Sequence, residues 1–306
     1  MESLRIFAPA TVANVSCGFD AMGFALDALG DELIATKNHS KNVTISKIEG
    51  AMLPFEADRN AAGVVAKHML ESQGFPFGVD FQLFKKYKPG SGLGSSAASS
   101  AGAAFAVNEL LGKPFDATQL VQFAMLGEEA ACGSQIADNV SAALYGGFVL
   151  IRSYHPLEVV PLPTPPELYV AILHPQIEIK TEDARNILPN DISMKHAITQ
   201  WANVGGLVSG LYSEDYGLIG RSLQDVVAEP TRKLLIPHFD SVKLAALENG
   251  ALGAGISGSG PSIFALCRGI IALERVVEAM KKSYSQTGID YLVYTSPVGG
   301  KGVQIL

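Results

Sequence analysis

The sequence has little of several features that would assign a chain to a familiar class. It contains three cysteines, Cys17, Cys132 and Cys267, and they form no C-x-x-C pair. A zinc site held by paired cysteines and a disulfide framework are therefore both disfavoured, and a reducing compartment is indicated. No stretch approaches the roughly 20 apolar residues that span a bilayer. The residues thus predict no membrane partner.

Basic runs are missing as well. No run of lysine and arginine is longer than two residues, and the net charge is -7. This acidic balance makes nucleic acid a disfavoured partner. The chain starts Met1-Glu2-Ser3, without the basic region and apolar segment of a secretory signal. These observations predict a cytoplasmic protein, and a length of 306 residues predicts two domains or one bilobal unit.

The most informative segment is rich in glycine but lacks a lysine. Residues 89–99 read PGSGLGSSAAS, whereas a Walker P-loop reads G-x-x-x-x-G-K-[ST]. Closely spaced glycines bring backbone N–H groups against an anion, and the following residues predict a helix from Ser95 to Leu111 that stops at Gly112. On composition alone a flexible linker is an equal alternative. The many alanines after Ser96 favour a tightly packed helix with an anion site at its N-terminus.

Strand and helix patterns mix without the regular βαβ order of a doubly wound sheet, which predicts an α+β fold. Strands are predicted at Leu4 to Pro9, Glu32 to Thr36, Val43 to Ile48, Val79 to Phe84, Gly146 to Arg152, Leu168 to Leu173, Ile263 to Cys267 and Tyr291 to Thr295. Helices are predicted at Asn60 to Ser72, Ser95 to Leu111, Ala117 to Ala131, Lys195 to Gly210, Tyr216 to Val227, Asp240 to Glu248 and Ala272 to Ser285. Four prolines between Pro161 and Pro166 predict a boundary between lobes of residues 1–162 and 163–306.

Two further segments place polar groups next to predicted strands. Gly253 to Pro261 forms a second glycine-rich loop, and Asn14 and Asp20 follow the first strand. Each signal alone is weak, because glycine, asparagine and aspartate are common in ordinary turns. Two glycine-rich loops, one from each lobe, can nevertheless close on a single ligand.

Taken in order, these segments resemble the small-molecule kinases named for galactokinase, homoserine kinase, mevalonate kinase and phosphomevalonate kinase, the GHMP kinases. The matching motifs are P-A-T-x-A-N-x-x-x-G-F-D at Pro9 to Asp20, G-S-G-L-G-S-S-A-A at Gly90 to Ala98 and G-x-S-G-S-G-P-S at Gly255 to Ser262. The resemblance implies a bilobal α+β fold, with a ribosomal-protein-S5-like N-terminal lobe, a ferredoxin-like C-terminal lobe and a cleft between them. It also implies ATP and Mg²⁺ as cofactors.

Within that family the second half of the chain resembles the homoserine kinases. The similar segments are Thr181-Glu-Asp-Ala-Arg185 and Glu229-Pro-Thr-Arg232. The resemblance implies that Arg185 and Arg232 bind the carboxylate of L-homoserine, a role that suits the planar fork of donors on a guanidinium. Asp20 would balance the amino group, and Thr181 and Asp138 are further substrate contacts. The ordinary alternative for each arginine is a surface salt bridge.

The resemblance also assigns catalytic and nucleotide contacts. Asn14 and Asn139 would hold the substrate hydroxyl, and Glu128 would bind Mg²⁺ together with Ser96. One carboxylate suffices, because Mg²⁺ also takes phosphate oxygens as ligands. The expected nucleotide contacts are Asn60 near the adenine and, from the two loops, Pro89, Gly90, Ser91, Gly92, Leu93, Gly94, Ser95, Ser96, Ala97, Gly258 and Ser259.

The sequence departs from the family pattern at Ile136, where a histidine is usual, and at Ser141-Ala142, which replace A-P. The expected reaction is transfer of the γ-phosphoryl group of ATP to the homoserine hydroxyl, which needs positioning and charge neutralisation more than a strong base. Two alternatives stay open: another kinase of the family, such as mevalonate kinase, and a nucleotide-binding regulator without turnover. A second copy of the chain, in a homodimer, is a further candidate partner.

Overall fold

The computed structural model describes residues 2–306. Its strands are β1 (Ser3–Ala13), β2 (Met22–Asn38), β3 (Val43–Glu49), β4 (Gly78–Phe84), β5 (Phe148–Tyr154), β6 (Leu157–Leu162), β7 (Leu168–Pro175), β8 (Ala251–Ile256), β9 (Ile263–Arg268), β10 (Tyr291–Pro297) and β11 (Gln304–Ile305). Its helices are α1 (Ala61–Ser72), α2 (Ser95–Leu111), α3 (Ala117–Cys132), α4 (Asp138–Tyr145), α5 (Thr181–Asn186), α6 (Met194–Ser213), α7 (Tyr216–Ser222), α8 (Glu229–Arg232), α9 (Phe239–Glu248) and α10 (Ile270–Tyr284).

The first sheet follows the order β11-β1-β2-β4-β3, with β5 paired to the start of β2 and β6 paired to β5. Strands β3 and β4 are parallel, and the other pairs are antiparallel. Helices α1, α2 and α3 enclose a core with strand residues such as Ile6, Leu33 and Phe81. The alanines of α2, including Ala98 and Ala101, are fully buried. The predicted tight packing of this helix is therefore confirmed.

The second sheet has the order β10-β7-β9-β8, and all its neighbours are antiparallel. In chain order its strands and the helices α9 and α10 form the ferredoxin-like arrangement. Val276 and Tyr284 of α10 pack against Ile263 and Ala265 of β9 in one buried cluster. The predicted α+β fold is confirmed. Between residues 2 and 306, no helix has the length and apolar character needed to cross a membrane.

A shared core joins the two sheets. The ring of Phe24 on β2 lies 4.9 Å from that of Phe148 and 6.1 Å from that of Phe264 on β9, measured between centroids. The end of the chain also returns to the first sheet, where Ile305 of β11 pairs with Ile6. Residues beyond 163 thus contribute to both sheets, and the division of the chain near residue 162 stays a prediction.

Several elements differ from the predictions. Strand β2 is longer than predicted, and the short elements β6, β11, α5 and α8 are not predicted at all. The second glycine-rich loop is shorter than expected, because its first residues belong to β8 and only the segment after Ile256 forms the loop. Helix α7 ends at Ser222 rather than at Val227, since the Asp225 carboxylate accepts three later backbone N–H groups at 2.8 to 3.0 Å and starts a new turn. Helix α4 was not predicted, because eight residues are too few for a clear periodic pattern.

Gly63 of α1 packs against the turn that precedes the helix. A Cβ added to Gly63 would lie 2.6 Å from Ala57 Cα, whereas a Cβ on Gly205 of α6 would meet nothing within 4 Å. Alanine gives both helical positions the same gain in propensity. We therefore expect Gly63→Ala to lower the free energy of unfolding by about 1 to 3 kcal/mol, and Gly205→Ala to raise it by about 0.4 to 1 kcal/mol. Urea denaturation measures both, and equal effects would contradict the close contact at Gly63.

Candidate active site

A cleft with a volume of about 840 Å³ lies between the two lobes. Most of the predicted site residues line it: Asn14, Asp20, Asn60, Pro89, Gly90, Gly92, Gly94, Ser95, Ser96, Glu128, Asp138, Asn139, Thr181, Arg185, Arg232, Gly258 and Ser259. Ser91, Leu93 and Ala97 do not, because their side chains are buried behind the loop. The expected nucleotide contacts of these three residues are therefore limited to backbone groups.

The two glycine-rich loops are in direct contact. The Ser257 hydroxyl donates to the Gly92 carbonyl at 2.6 Å, and the Ser262 N–H donates to the Ser91 carbonyl at 3.2 Å. Gly92 has a φ of 80°, and a Cβ there would lie 2.5 Å from the Ser257 carbonyl oxygen. Both the backbone conformation and the available space thus require glycine at position 92.

Helix α2 begins at the first loop with unpaired N–H groups. Gly94 precedes it with a φ of 65°, and no side chain caps the helix. The N–H groups of the first turn have no acceptor within the helix, and they point along a dipole that attracts negative charge. A Cβ on Gly94 would overlap the Thr11 hydroxyl. The start of α2 therefore has the features of an anion site, as the sequence predicts.

Glu128 of α3 faces this first turn. Its side chain is buried, and its Oε1 has no hydrogen-bond partner among residues 2–306. Burial raises the pKa of Glu128 to about 7, while the Ser96 hydroxyl and the Lys85 ammonium act in the opposite direction. A buried, unpaired carboxylate oxygen beside a serine hydroxyl fits a hard cation such as Mg²⁺. The described residues contain no cluster of three His, Cys, Asp or Glu, so phosphate and water oxygens would complete the ligand set.

Lys85 is a buried cation of the site that lies outside the sequence motifs. It directly follows β4, and its side chain is 1% exposed. Its ammonium forms an ion pair with Asp31 and donates to the Ser95 carbonyl at 2.7 Å and to the Ser99 hydroxyl at 3.0 Å. Lys85 thus fastens the first turn of α2 to the sheet and places a positive charge beneath the anion site. No motif signals it, because lysines are normally exposed.

Removing Lys85 alone leaves a buried carboxylate without its partner. We expect Lys85→Met to lower the free energy of unfolding by about 3 to 5 kcal/mol. The double variant that adds Asp31→Leu removes both charges and should recover most of that loss. Denaturant unfolding of the two single variants and the double variant measures the coupling of the pair. Additive effects would contradict a buried ion pair.

Asp20 and Arg185 form a bidentate ion pair in the same cleft, away from the anion site at the start of α2. The guanidinium nitrogens of Arg185 donate to the two oxygens of Asp20 at 2.9 and 3.0 Å. The sequence predicts that these residues bind the carboxylate and the amino group of a substrate, whereas in the structure they bind each other. An amino acid can replace the contacts of this pair, because its ammonium group can bind Asp20 and its carboxylate can bind Arg185. Both substrate contacts stay predictions.

Arg232 is buried and is held by two carbonyl groups. Its Nε donates to Ala184 at 2.9 Å, and one terminal nitrogen donates to Gly258 at 3.1 Å. Burial lowers its pKa, and the charge of Asp20 opposes that shift. In the described part of the chain Arg232 is buried and forms no ion pair. The alternative that Arg232 forms a surface salt bridge is therefore wrong. Its fixed guanidinium, which lines the cleft, is available to an anionic group.

The two predicted catalytic asparagines have partners within the protein. The Asn14 amide donates to the Gly258 carbonyl at 2.9 Å and accepts the Asp20 N–H at 3.0 Å. The Asn139 side-chain oxygen accepts the Thr11 hydroxyl at 2.6 Å. Each amide nitrogen keeps an N–H that can be offered to a ligand.

Asp138 is the first residue of α4 and lines the same cleft as Asn14 and Asn139. Burial raises its pKa to about 7, and the negative charge of Asp20 acts in the same direction.

The Tyr154 hydroxyl donates to the Asp20 carbonyl at 2.9 Å and accepts the Ala137 N–H at 3.3 Å. Tyr154 therefore ties the loop of Asp20 to the start of α4. The sequence carried no signal for it.

Two predicted ligand contacts also have structural roles. The Asn60 side chain caps α1 by accepting the Ala62 N–H at 3.1 Å, and it donates to the Pro54 carbonyl at 2.8 Å. The Thr181 hydroxyl lies 3.5 Å from that of Ser259. These contacts hold both residues at the cleft, and their binding to adenine and to substrate stays a prediction.

Two family models match this chain. The model of the GHMP kinases N terminal domain matches residues 60–147, and that of the GHMP kinases C terminal domain matches residues 207–286. The chain belongs to the GHMP kinase family. The solved mevalonate kinase of L. major has the same fold, with a TM-score of 0.72 at 17% identity over 95% of each chain.

Relatives of higher identity are homoserine kinases. The homoserine kinase of Chlorobium phaeovibrioides is 47% identical over 100% of both chains, and that of Pyrococcus abyssi is 40% identical over 93% of this chain and 94% of its own. The crystal structure of homoserine kinase from Cytophaga hutchinsonii has a TM-score of 0.96 at 51% identity, covering 100% of this chain and 98% of that one. Within the GHMP kinases, the chain therefore belongs with the homoserine kinases, as its motifs predict.

Proposed function

We propose that this chain transfers the γ-phosphoryl group of ATP to the side-chain hydroxyl of L-homoserine, giving O-phospho-L-homoserine for threonine biosynthesis. The observation that carries the proposal is that one cleft holds both an anion site beside the buried Glu128 carboxylate and a cluster of one aspartate with two arginines. The homoserine kinases among the relatives support this acceptor.

The phosphate end of the cleft suits a nucleotide triphosphate. The first loop and the first turn of α2 offer backbone N–H donors, and Lys85 adds positive charge below them. Glu128 and Ser96 would hold Mg²⁺, which when bound neutralises charge on the phosphate oxygens. The chain's own contribution is positioning, because phosphoryl transfer passes through a loose transition state.

The acceptor end is complementary to a zwitterion. Asp20 presents a carboxylate to an ammonium group, while Arg185 and Arg232 present guanidinium groups to a carboxylate. Mevalonate carries a carboxylate but no ammonium, so it would engage Arg185 and leave Asp20 without a partner. The Asp20–Arg185 pair therefore favours an amino acid over mevalonate. Asn14 and Asn139 would orient the hydroxyl toward the phosphate.

We also propose that the protein is cytoplasmic. Cys17, Cys132 and Cys267 are free thiols, which suits the reducing cytoplasm. The homodimer stays a prediction.

The acceptor is tested by an ADP-coupled assay with ATP and Mg²⁺ over L-homoserine, mevalonate, galactose and shikimate. We expect kcat/KM for L-homoserine to exceed that for each other acceptor by at least about 100-fold, because a site built for polar groups rejects molecules that leave them unpaired. The variant Glu128→Gln is the control and should lose turnover. Equal kcat/KM for mevalonate would support the mevalonate kinase alternative, and ATP binding without transfer to any acceptor would support the regulator.

Removing either arginine should weaken homoserine binding. We expect Arg185→Ala and Arg232→Ala each to raise the KM for L-homoserine by about 10- to 150-fold, equivalent to roughly 1.5 to 3 kcal/mol for a charge-assisted contact. The matched control is Arg152→Ala, which removes an exposed pair with Glu158 and should leave this KM unchanged. An unchanged KM in both arginine variants would refute their assignment to the carboxylate.

A further inference from the structure

Phe19 contacts both of the arginines that line the acceptor end of the cleft. The Arg232 Cζ lies 4.9 Å from the centroid of the Phe19 ring, and the Arg185 Cζ lies 5.7 Å from it. A guanidinium within about 6 Å of an aromatic centroid is attracted by the negative face of the ring. One phenyl ring therefore interacts with two cations.

The loop that carries Phe19 is held in a tight, strained turn. The Gly18 N–H donates to the Asn14 carbonyl at 2.8 Å, and the Met22 N–H donates to the Gly18 carbonyl at 2.9 Å. Left-handed φ values of 68°, 43°, 56° and 54° occur at the non-glycine residues Asn14, Val15, Ser16 and Asp20. Such values persist only where the surrounding structure enforces them. The turn thus fixes the backbone that carries Phe19 and Asp20.

The attraction of the Phe19 ring matters more for Arg232 than for Arg185, because Arg232 has no carboxylate partner. Arg185 has the Asp20 carboxylate as a partner, whereas Arg232 is buried, donates to two carbonyls and forms no ion pair within residues 2–306. The two guanidinium groups also repel each other. The face of Phe19 attracts both groups and therefore offsets part of this repulsion.

We infer that Phe19 is a positioning residue for substrate recognition, whose ring orients the guanidinium groups of Arg185 and Arg232 toward one carboxylate. The inference rests on the proposed function, because the carboxylate is that of L-homoserine. Phe19 acts through the arginines and not on the reacting atoms. Its loss should therefore change homoserine binding and leave the nucleotide end of the cleft unaffected.

Substitutions at position 19 separate the ring face from its bulk. We expect Phe19→Leu to raise the KM for L-homoserine by roughly 5- to 30-fold, with kcat and the KM for ATP each within about twofold of the parent protein. Phe19→Tyr keeps an aromatic face and should retain a KM within about threefold of the parent. A homoserine KM in Phe19→Leu equal to that of the parent would overturn the inference.

Fluorinated phenylalanines test the electrostatic cause with little change of shape. Replacing Phe19 by 4-fluoro- and then by 3,4,5-trifluorophenylalanine weakens the negative face in steps, so the KM for L-homoserine should rise in the same order. A role in packing alone predicts no such order, and its absence would refute the interaction.

A readout without turnover distinguishes failure of this inference from failure of the proposed function. In NMR spectra of isotope-labelled protein without substrates, the Nε–H signals of Arg185 and Arg232 should shift in Phe19→Leu, while that of the exposed Arg152 stays in place. Unshifted signals would overturn the inference whatever the activity. Lack of homoserine phosphorylation by the parent protein, with the shifts present, would instead refute the proposed function.

Discussion

Gly92 and Ser257 bring the two lobes into contact at the cleft, and the other parts of the site are placed relative to that contact. The Ser257 hydroxyl binds the Gly92 carbonyl, and the Gly258 N–H donates to the Ala13 carbonyl at 3.2 Å. The second lobe is thus joined both to the loop before α2 and to the end of β1. A side chain at position 92 would separate these backbones. These contacts connect the wall of the phosphate end to that of the acceptor end.

Some charged side chains of the cleft form ion pairs, and others do not. Lys85 is neutralised by Asp31, and Arg185 by Asp20. Glu128 and Arg232 have no ion pair in the described chain, and one Glu128 carboxylate oxygen also has no hydrogen bond. The buried Asp138 has no ion pair either, but its carboxylate accepts the Asn139 N–H at 2.7 Å. A buried charge without an opposite partner is costly, so it is retained where a ligand supplies that partner. Glu128 suits a cation, and Arg232 suits a carboxylate.

The sequence predicts well those features that neighbouring residues determine. Asp116 and Gln119 have the three-residue spacing of a capping box at the start of α3, and both of its hydrogen bonds form at 2.9 Å. Helix α2 ends before Gly112, as predicted. The sequence instead predicts a loop from Gly253 onward, where most of β8 lies. Its glycines have low strand propensity, and pairing with β9 overrides that propensity.

Contacts between distant residues could not be predicted in the same way. The motifs identified Asp20 and Arg185, but residues 165 positions apart give no sign that they bind each other. Tyr154 and Lys85 stand outside the motifs altogether, and only the fold shows that they reach Asp20 and α2. The family resemblance supplied the site residues, while the structure supplied their partners.

The central claim is that the cleft recognises both charges of an amino acid at the Asp20, Arg185 and Arg232 cluster. Calorimetric titration of the parent protein with L-homoserine, with 4-hydroxybutanoate, which lacks the amino group, and with 3-aminopropan-1-ol, which lacks the carboxylate, tests it most directly. The structure predicts that each truncated molecule binds at least about 10-fold more weakly than L-homoserine, since each leaves one charged group without its partner. Equal affinity for L-homoserine and either truncated molecule would contradict the claim.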